Sequence, residues 1–335
     1  MFDDPLYDLE SLKLPPTARW ARNGITVAGA TNGEGGLSLG RLYWNFGIYC
    51  DDDDILYIAD TGNNRVLMIA PNSTTTTHVL GGDVQSTTLM IYNPTSIFAS
   101  RTSIYVMDAG SFRVQKWSKD SSNVMTIAGI FGERGDSTSM RTFSNSYSLF
   151  VDNYDNLFLS DFNDRVMRFP WNSTSGTNGV IVAGTGVRGF SSAQLNGPSG
   201  IFVTDNGILY IADTNNHRIQ KWIIGGSSGV TVAGTRTAGR GPSQLLFPLS
   251  VLVDSNGYMY ITDNGNDRIL RWAPHATIGE CMAGCTGYWG VDSSQLNAPV
   301  SISFDSNGCL YVSDRQNNRV QKFAILTETG IVLIC

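Results

Sequence analysis

The residue types best suited to catalysis are few in this chain of 335 residues. Its three histidines, His78, His217 and His275, fall on an outer strand, a turn and an outer hairpin of the repeat described below. We therefore expect them not to converge on one zinc ion. GTGVRG at 184–189 and GLSLG at 36–40 lack the strand–turn–helix context of a phosphate loop or a nucleophile elbow. The sequence predicts no catalytic residues.

One ionic pair, by contrast, recurs six times: an aspartate is followed five residues later by an arginine, or four residues later in the third copy. A site rarely needs six copies of one pair, whereas each turn between two strands needs its own. We interpret the pairs as structural, with the carboxylate accepting turn N–H groups and binding the guanidinium through two parallel hydrogen bonds. The pairs are Asp60–Arg65, Asp108–Arg113, Asp161–Arg165, Asp213–Arg218, Asp263–Arg268 and Asp314–Arg319.

The segments around each pair repeat with the same step of about 50 residues. An alternation of aliphatic and aromatic residues precedes each aspartate, as in LYIAD at 56–60, and a second strand starts at the arginine. A third strand resembles IVAG at 181–184, and a fourth often follows proline, as in PSGIF at 198–202. Four short strands per repeat, without helical periodicity, predict an all-β, six-bladed β-propeller of four-stranded antiparallel blades.

The closure of the ring follows from the first strand of the chain. ITVAG at 25–29 precedes any complete blade. We expect this N-terminal strand to be the outer strand of the last blade, which removes exposed edges. TGIVLI at 329–334 is the competing candidate for that position. The predicted domains are a tail at 1–23, the propeller at 24–325, and a tail at 326–335 that contains the competing strand.

The repeated turn also indicates a family. An aspartate, a short Asn/Gly turn, Asn-His-Arg or Asn-Asn-Arg, and then Val/Ile-Gln-Lys-Trp/Phe resembles the NHL repeat over roughly residues 24–325. His217 falls where the name-giving histidine of that family does. The resemblance implies a six-bladed propeller, in agreement with the count of repeats. It also implies alternatives, since some similar propellers are zinc-dependent lyases that amidate peptides, lactonase-like relatives use a central calcium, and some bind RNA through a basic face.

A second series of aspartates precedes the ionic pairs by eight or nine residues and opens turns: Asp51, Asp152, Asp205, Asp254 and Asp305. If the ring closes as expected, these turns share one face and make it acidic around the channel mouth. In the first repeat the series becomes Asp51, Asp52, Asp53 and Asp54. Carboxylates of this kind are ligands for Ca²⁺, and this run is the one metal candidate that the sequence offers. A solvated acidic turn is the alternative.

The linkers between blades vary while the strands repeat, and variable loops on a rigid scaffold tend to carry binding residues. Tyr288 and Trp289 stand beside linker residues that are mostly Gly, Ser and Thr, and exposed aromatic residues anchor interfaces. The alternative is that such rings fold inward over linker glycines. Three linker arginines could hold one small anion. The predicted binding residues are Phe131, Phe190, Tyr288, Trp289, Arg188, Arg236 and Arg240.

Together these features predict a non-enzymatic scaffold that binds a protein or peptide ligand through the linker face. The alternatives are a metal-dependent lyase or hydrolase at the channel mouth, and then an RNA-binding propeller. The net charge of −6 argues against a nucleic-acid partner. No stretch approaches about 18 consecutive apolar residues, so we expect no membrane span. We expect a monomer.

The five cysteines are Cys50, Cys281, Cys285, Cys309 and Cys335. Cys281 and Cys285 flank MAG in a predicted strand, where about 3.3 Å per residue places them roughly 13 Å apart, too far for a disulfide unless the strand bends. Asn72 and Asn172 begin Asn-Ser-Thr sequons in the same outer hairpin of two blades. They favour a secreted glycoprotein, with a cytoplasmic protein as the alternative.

Overall fold

The computed structural model describes residues 14–82 and 87–326. Within these ranges, six four-stranded antiparallel sheets form the blades of a propeller, and a two-stranded sheet joins segments from the two ends of the described chain. The predicted all-β, six-bladed architecture is confirmed. In the described part of the chain, no helix is long and apolar enough to cross a membrane.

Two strands precede the first blade: β1 (Arg19–Trp20) and β2 (Ile25–Gly29). Blade 1 contains β3 (Ile48–Cys50), β4 (Leu56–Asp60), β5 (Arg65–Ile69) and β6 (Thr76–Gly81). Blade 2 contains β7 (Pro94–Ala99), β8 (Ser103–Asp108), β9 (Arg113–Ser118) and β10 (Val124–Gly129). Blade 3 contains β11 (Leu149–Val151), β12 (Leu157–Asp161), β13 (Arg165–Phe169) and β14 (Val180–Gly184).

Blade 4 contains β15 (Pro198–Val203), β16 (Ile208–Asp213), β17 (Arg218–Ile223) and β18 (Val230–Ala233). Blade 5 contains β19 (Pro248–Val253), β20 (Met259–Asp263), β21 (Arg268–Trp272) and β22 (Glu280–Ala283). Blade 6 contains β23 (Pro299–Phe304), β24 (Leu310–Asp314) and β25 (Arg319–Phe323), and β26 (Ile325–Leu326) follows it.

The burial of each strand reflects its radial position. The second strand of a blade is buried along its whole length, as in β4 and β12, because neighbouring blades cover both of its faces. Outer strands such as β6 are half exposed. The apolar core therefore lies between the blades, as where Phe158 of blade 3 packs with Ile201 and Trp222 of blade 4.

The second and third strands of each blade are joined by the turn that contains the repeated ionic pair. In blades 1, 2, 4, 5 and 6 of the described chain this turn is a 3₁₀ helix, namely Thr61–Asn63, Ala109–Ser111, Thr214–Asn216, Asn264–Asn266 and Arg315–Asn317. It ends at a left-handed residue, for example His217 with φ of 52°. Blade 3 has one residue fewer here, and Asp164 takes the left-handed position with φ of 63°.

The sixth sheet is completed by β2, which pairs with β25 in a register that places Gly29 opposite Arg319. In a separate two-stranded sheet, β1 pairs with β26. Part of the segment predicted as an N-terminal tail is packed, since Leu14 and Trp20 are buried beside blade 6 and Trp20 Nε1 donates to the Gly308 carbonyl oxygen at 2.9 Å. The competing strand at 329–334 lies outside the described residues.

The expectation that Cys281 and Cys285 are too far apart for a disulfide is wrong. They are bonded, with their Cα atoms 5.9 Å apart. Extended geometry ends with β22 at Ala283, and Gly284, with φ of 71°, turns the chain back. Cys309 is also disulfide-bonded, and Cys50 is a buried free thiol.

Candidate binding face

Each ionic turn is tied to the linker that precedes its blade, so that linkers and turns lie on one face, called here the linker face. In blade 4, Asp213 Oδ2 accepts hydrogen bonds from Arg218 Nε at 2.7 Å and from Asn216 Nδ2 at 2.8 Å. Asp213 Oδ1 accepts from the Asn196 N–H at 2.8 Å. The terminal nitrogens of Arg218 donate to the carbonyl oxygens of Phe190, Ser191 and Gln194.

The same pair is present in each described blade, with Nε–Oδ2 distances of 2.7–2.8 Å and completely buried aspartates. The expected two-pronged contact is wrong. Only Nε of each arginine binds the carboxylate, because the other carboxylate oxygen is occupied by a backbone N–H and the terminal guanidinium nitrogens bind linker carbonyls. The pair thereby fixes the shape of the linker as well as the turn.

A further set of hydrogen bonds joins five of the six turns to the next blade; the turn of blade 2 ends at Phe112, whose side chain has no acceptor. The left-handed residue that ends the turn accepts, through its side chain, from the N–H of a left-handed residue at the start of the following blade. The bonds are Asn64 to Asn93, Asp164 to Gly197, His217 to Phe247, Asp267 to Ala298, and Asn318 to Trp44, at 2.8–3.1 Å. The histidine that suggested the NHL resemblance is therefore a hydrogen-bond acceptor between blades.

The channel mouth on this face is crossed by aromatic side chains. Phe46 of blade 1 stacks on Tyr147 of blade 3 with ring centroids 5.3 Å apart, although blade 2 separates these blades in the ring. Tyr147 also meets Phe162 edge to face at 5.7 Å. The guanidinium of Arg315 lies 5.5 Å from the Phe46 ring, and burial lowers its pKa.

The predicted aromatic binding residues differ in their environments. Tyr288 and Trp289 are 76% and 68% exposed, and Phe190 is 67% exposed, so these three rings do not fold inward. Phe131 is 44% exposed and lies 4.6 Å from the guanidinium of Arg113, which it covers. Three of the four predicted rings are thus available to a partner.

The predicted arginines are not gathered at one point. Arg188 pairs with Asp164 at 3.5 Å, and Arg240 is exposed. Arg236 is exposed in a left-handed conformation, with φ of 66°. It lines a cavity of about 480 Å³ together with Phe190, whereas Arg188 and Arg240 do not.

Two further exposed aromatic residues were missed in the sequence. Tyr43 and Trp44 stack on each other with centroids 5.8 Å apart, and both are about half exposed. They belong to the linker 30–47, which lies beside the linker 284–298, because the guanidinium of Arg319 donates to the carbonyl oxygens of both Thr31 and Val291. The sequence could have indicated them, because Tyr43-Trp44 is a Tyr-Trp pair in a linker, as Tyr288-Trp289 is.

The opposite face carries the second aspartate series, and cations from the strands offset its charge. Tyr57 Oη donates to Asp51 Oδ2 at 2.9 Å, and Lys119 Nζ lies 2.7 Å from the same oxygen. In blade 6, Lys322 lies 3.0 Å from Asp305. Burial is the main cause of the raised pKa of the Tyr57 hydroxyl, with Asp51 adding to it. The prediction of an acidic channel mouth overlooked these lysines.

The acidic run predicted as a calcium candidate divides among separate partners. Asp51 accepts from the backbone of Asp53 and Ile55, while Asp54 accepts from the backbone and hydroxyl of Ser306. Within the described ranges, no group of three or more His, Cys, Asp or Glu residues is placed to hold a metal ion. His78 Nδ1 lies beside its neighbouring Thr77 carbonyl, and His275 lines a different cavity between blades 4 and 5.

Two comparisons bear on the repeats. The NHL repeat family model matches residues 195–222 and 296–323, which contain the fourth and sixth copies of the turn, in blades 4 and 6. No curated protein matches the chain.

Several solved structures share the fold at low sequence identity. An auxiliary nutrient binding protein from Bacteroides thetaiotaomicron is 14% identical, with a TM-score of 0.66 over 94% of this chain and 78% of that one. A gluconolactonase from Xanthomonas campestris is 13% identical, with a TM-score of 0.59 over 93% and 98%. Virginiamycin B lyase from Staphylococcus aureus is 12% identical, with a TM-score of 0.58 over 95% and 100%. Similarity at this level shows the propeller fold alone.

Proposed function

We propose that the chain, which carries NHL repeats and folds as a six-bladed propeller, is a non-enzymatic scaffold that binds a protein or peptide ligand on the linker face. The observation that carries this proposal is the exposure of Tyr288 and Trp289 on the linker 284–298. Aromatic residues of this kind supply large contact area at low entropic cost, and they are enriched among the residues that dominate binding energy.

The linker that presents these rings is anchored at several points. The disulfide Cys281–Cys285 holds its start, Asn317 Nδ2 donates to the Gly290 carbonyl oxygen at 2.7 Å, and Arg319 binds further carbonyl oxygens of the same linker. A loop that is already ordered loses less conformational entropy when a partner binds. This preorganisation supports a binding role for the rings.

The charge of the face suggests the chemistry of the partner. Arg188, Arg236 and Arg240 project from two adjacent linkers, and all three side chains are exposed. We propose a partner segment that carries apolar and acidic side chains, with apolar groups against the aromatic rings and carboxylates near the arginines. Nucleic acid is a less suitable partner because the chain as a whole carries a net charge of −6.

The experiment is a binding measurement with matched aromatic variants. Peptides selected from a random display library against the purified protein would be titrated against the wild type and the Tyr288→Ala/Trp289→Ala variant. We expect at least about a tenfold loss of affinity in that variant, the usual effect of removing aromatic anchors. Tyr154→Ala/Trp171→Ala is the control, since these rings are 76% and 69% exposed and lie on other hairpins. Equal effects of the two double variants would refute the proposed face.

The competing function is a metal-dependent lyase or hydrolase at the channel mouth, which the lyase and lactonase of similar fold make worth testing. Protein purified without chelators or metal-affinity resin would be assayed for zinc and calcium. One tightly held equivalent would favour the enzyme, while its absence would leave the scaffold ahead.

Secretion is part of the same proposal. The Cys281–Cys285 disulfide, the disulfide-bonded Cys309 and the exposed Asn72 and Asn172 suit an oxidising, glycosylating compartment. Expression through a secretory pathway should give a product whose gel mobility changes with glycosidase treatment. Asn72→Gln/Asn172→Gln should abolish the change, and an unglycosylated wild-type product would contradict the assignment.

A further inference from the structure

The third strand of each blade has a buried position two residues after its arginine, and this position alternates in chemistry around the ring. It is Leu67, Met167 and Leu270 in blades 1, 3 and 5, and Gln115, Gln220 and Gln321 in blades 2, 4 and 6. Each glutamine lies opposite a threonine of the outer strand. The fold therefore accepts either an apolar or an amide side chain at this position.

The amides of blades 2 and 4 each leave one buried atom unpaired among the described residues, the Oε1 acceptor of Gln115 and the Nε2 donor of Gln220. Thr231 Oγ1 donates to its Oε1 at 3.2 Å, but its Nε2 has no hydrogen-bond partner among the described residues, although Gln220 is completely buried. In blade 2, Gln115 Nε2 donates to the Thr88 carbonyl oxygen at 2.8 Å. The corresponding oxygen in blade 4, that of Ser192, is occupied by the Gly229 N–H at 2.9 Å. A buried donor without an acceptor costs free energy unless something else binds it.

Gln220 lines the cavity of about 480 Å³ between the linker 185–197 and blade 4. This volume suits a small molecule. The described residues that line the cavity include two arginines and no acid: Phe190, Ser192, Arg218, Gln220, Thr231 and Arg236 belong to the set. Arg218 already binds Asp213, so Arg236 supplies the uncompensated positive charge at this cavity.

The backbone at Arg236 is a separate indication of function. Its φ of 66° is a left-handed conformation, and the same place after the outer strand of blade 3 is occupied by Gly186 with φ of 72°. Glycine takes this conformation without steric cost, whereas a long side chain does not. Most other left-handed residues besides glycine in the described chain belong to the repeated turns and blade starts, whereas Arg236 lines a cavity, and strained residues at cavities are candidates for a binding role.

From these observations we propose that this cavity, called here the blade-4 cavity, binds a small molecule that carries a carboxylate and a flat apolar group. The carboxylate lies against the Arg236 cation, and Gln220, whose Nε2 has no solvent access in the free protein, turns its amide towards the cavity to donate to it. The apolar group packs on the exposed Phe190 ring. The inference goes beyond the proposed protein-binding function and does not rest on it, since a free ligand needs no partner chain.

Blade 6 supplies a natural control with the same frame. Gln321 accepts from Thr26 at 2.9 Å, and Ser293 accepts from the Gly24 N–H at 2.8 Å, as Ser192 does from Gly229. The positions of Phe190 and Arg236 are taken there by Val291 and Thr31. Gln321→Leu therefore removes an equivalent buried amide from a place without the aromatic ring or the cation.

The test titrates the intact protein with benzoate, benzamide and acetate by calorimetry and by the side-chain amide NMR signals. We expect saturable binding of benzoate and a shift of the Gln220 side-chain amide signal. Benzamide lacks the negative charge and acetate lacks the ring, so each should bind at least about tenfold more weakly, since a hydrogen bond to a charged group and a packed ring each contribute about that much affinity. Gln220→Leu and Arg236→Gly should each weaken benzoate about tenfold, and Gln321→Leu less than about twofold.

Folding of the variants is checked by thermal unfolding. Gln220→Leu introduces an apolar side chain like those at the same position in blades 1, 3 and 5. Arg236→Gly replaces an arginine in a left-handed conformation with the residue that adopts it without steric cost. Neither variant should therefore lower the temperature midpoint of unfolding. Benzoate that fails to saturate up to about 10 mM, the weak limit of specific binding, would overturn the proposal. Equal losses of benzoate affinity in Gln220→Leu and Gln321→Leu would also overturn the proposal. An unchanged benzoate affinity in Tyr288→Ala/Trp289→Ala would separate this cavity from the protein-binding surface.

Discussion

His217 of blade 4 holds blade 5 through its imidazole, whose Nδ1 accepts a hydrogen bond from the Phe247 N–H at 3.1 Å while the two rings meet edge to face at 4.7 Å. Only the neutral imidazole has an acceptor nitrogen to offer. Burial is the main cause of the lowered pKa of His217, which the nearby Asp263 and Asp213 partly oppose.

This bond predicts a pH dependence of stability. In the unfolded chain the pKa of histidine is about 6.5, and in the folded protein it is lower, so the unfolded state binds the proton first as the pH falls. The contribution of His217 to the free energy of unfolding should be complete above about pH 7 and decline as the pH falls through 6.5 towards the folded pKa. Urea unfolding at a series of pH values measures it.

His217→Asn is the matched control, because Asn64 and Asn318 perform the same task in blades 1 and 6. The variant should match the wild type at neutral pH and be more stable relative to it at pH 5. Parallel pH profiles for the two proteins would contradict this role of the imidazole.

Arg165 and Asp161 form the pair whose side chains are both completely buried. Burial raises the pKa of Asp161, and Arg165 and two backbone N–H groups oppose this effect, which reflects the desolvation cost that any buried ion pair carries. Removing one partner is nevertheless costly, because it leaves a buried charge unpaired. We expect Arg165→Met to lower the free energy of unfolding by about 3–5 kcal/mol.

The double variant Asp161→Asn/Arg165→Met should lose less than the sum of its single variants, and a double-mutant cycle by denaturant unfolding measures the difference. Additive losses would show that the two side chains do not depend on each other. Loss of Arg165 should also loosen the preceding linker, whose carbonyl oxygens at Ser137 and Asp136 it binds.

The Cys281–Cys285 disulfide closes a short loop, since its cysteines are only four residues apart. Loop-closure entropy for so short a loop amounts to about 2 kcal/mol, an upper limit for what Cys281→Ala/Cys285→Ala should cost. We expect a small fall in Tm and a larger loss of affinity for the peptides selected on the linker face, because the start of the Tyr288–Trp289 linker is released. Unchanged peptide affinity would mean that the disulfide does not organise that linker.

Cys50 is a free thiol within the core between blades 1 and 6. Burial raises the pKa of this thiol, and Asp305 adds to the effect, so little thiolate exists near neutral pH. Native protein should react with iodoacetamide at Cys50 at least about a hundredfold more slowly than unfolded protein, since both access and thiolate are lost. Peptide mapping by mass spectrometry would measure the ratio, and rapid native labelling would show that blades 1 and 6 open.

The blade frame was predictable because its physical demands repeat. Every turn needs an acceptor for backbone N–H groups and a donor for the carbonyl oxygens of its linker. An aspartate and an arginine equivalent to Asp60 and Arg65 therefore occur in each copy. The ring of hydrogen bonds between blades was not predictable in this way. The five acceptors are two asparagines, two aspartates and His217, so no one residue type marks the position in every copy.

The binding face was only partly predictable. Tyr288 and Trp289 stood out because their linker neighbours are small, and they are exposed. Tyr43 and Trp44 did not, because they lie in an apolar and aromatic stretch that leads into the buried β3 and resembles the start of a strand. The Nε2 donor of Gln220 has no partner because the Gly229 N–H occupies the Ser192 carbonyl oxygen that it would otherwise bind. No spacing in the sequence indicates this.

The strand that completes the sixth sheet comes from the other end of the described chain, and Thr26 Oγ1 meets Gln321 Oε1 across 295 residues. A ribosome makes β2 long before β25, so β2 must wait unpaired until nearly all other blades exist. Contacts of such long range form late and slowly. During that wait, the open edge of β25 in one copy accepts β2 of another copy equally well. The same closure that seals a finished ring is thus the step at which two unfinished chains at high concentration would exchange strands.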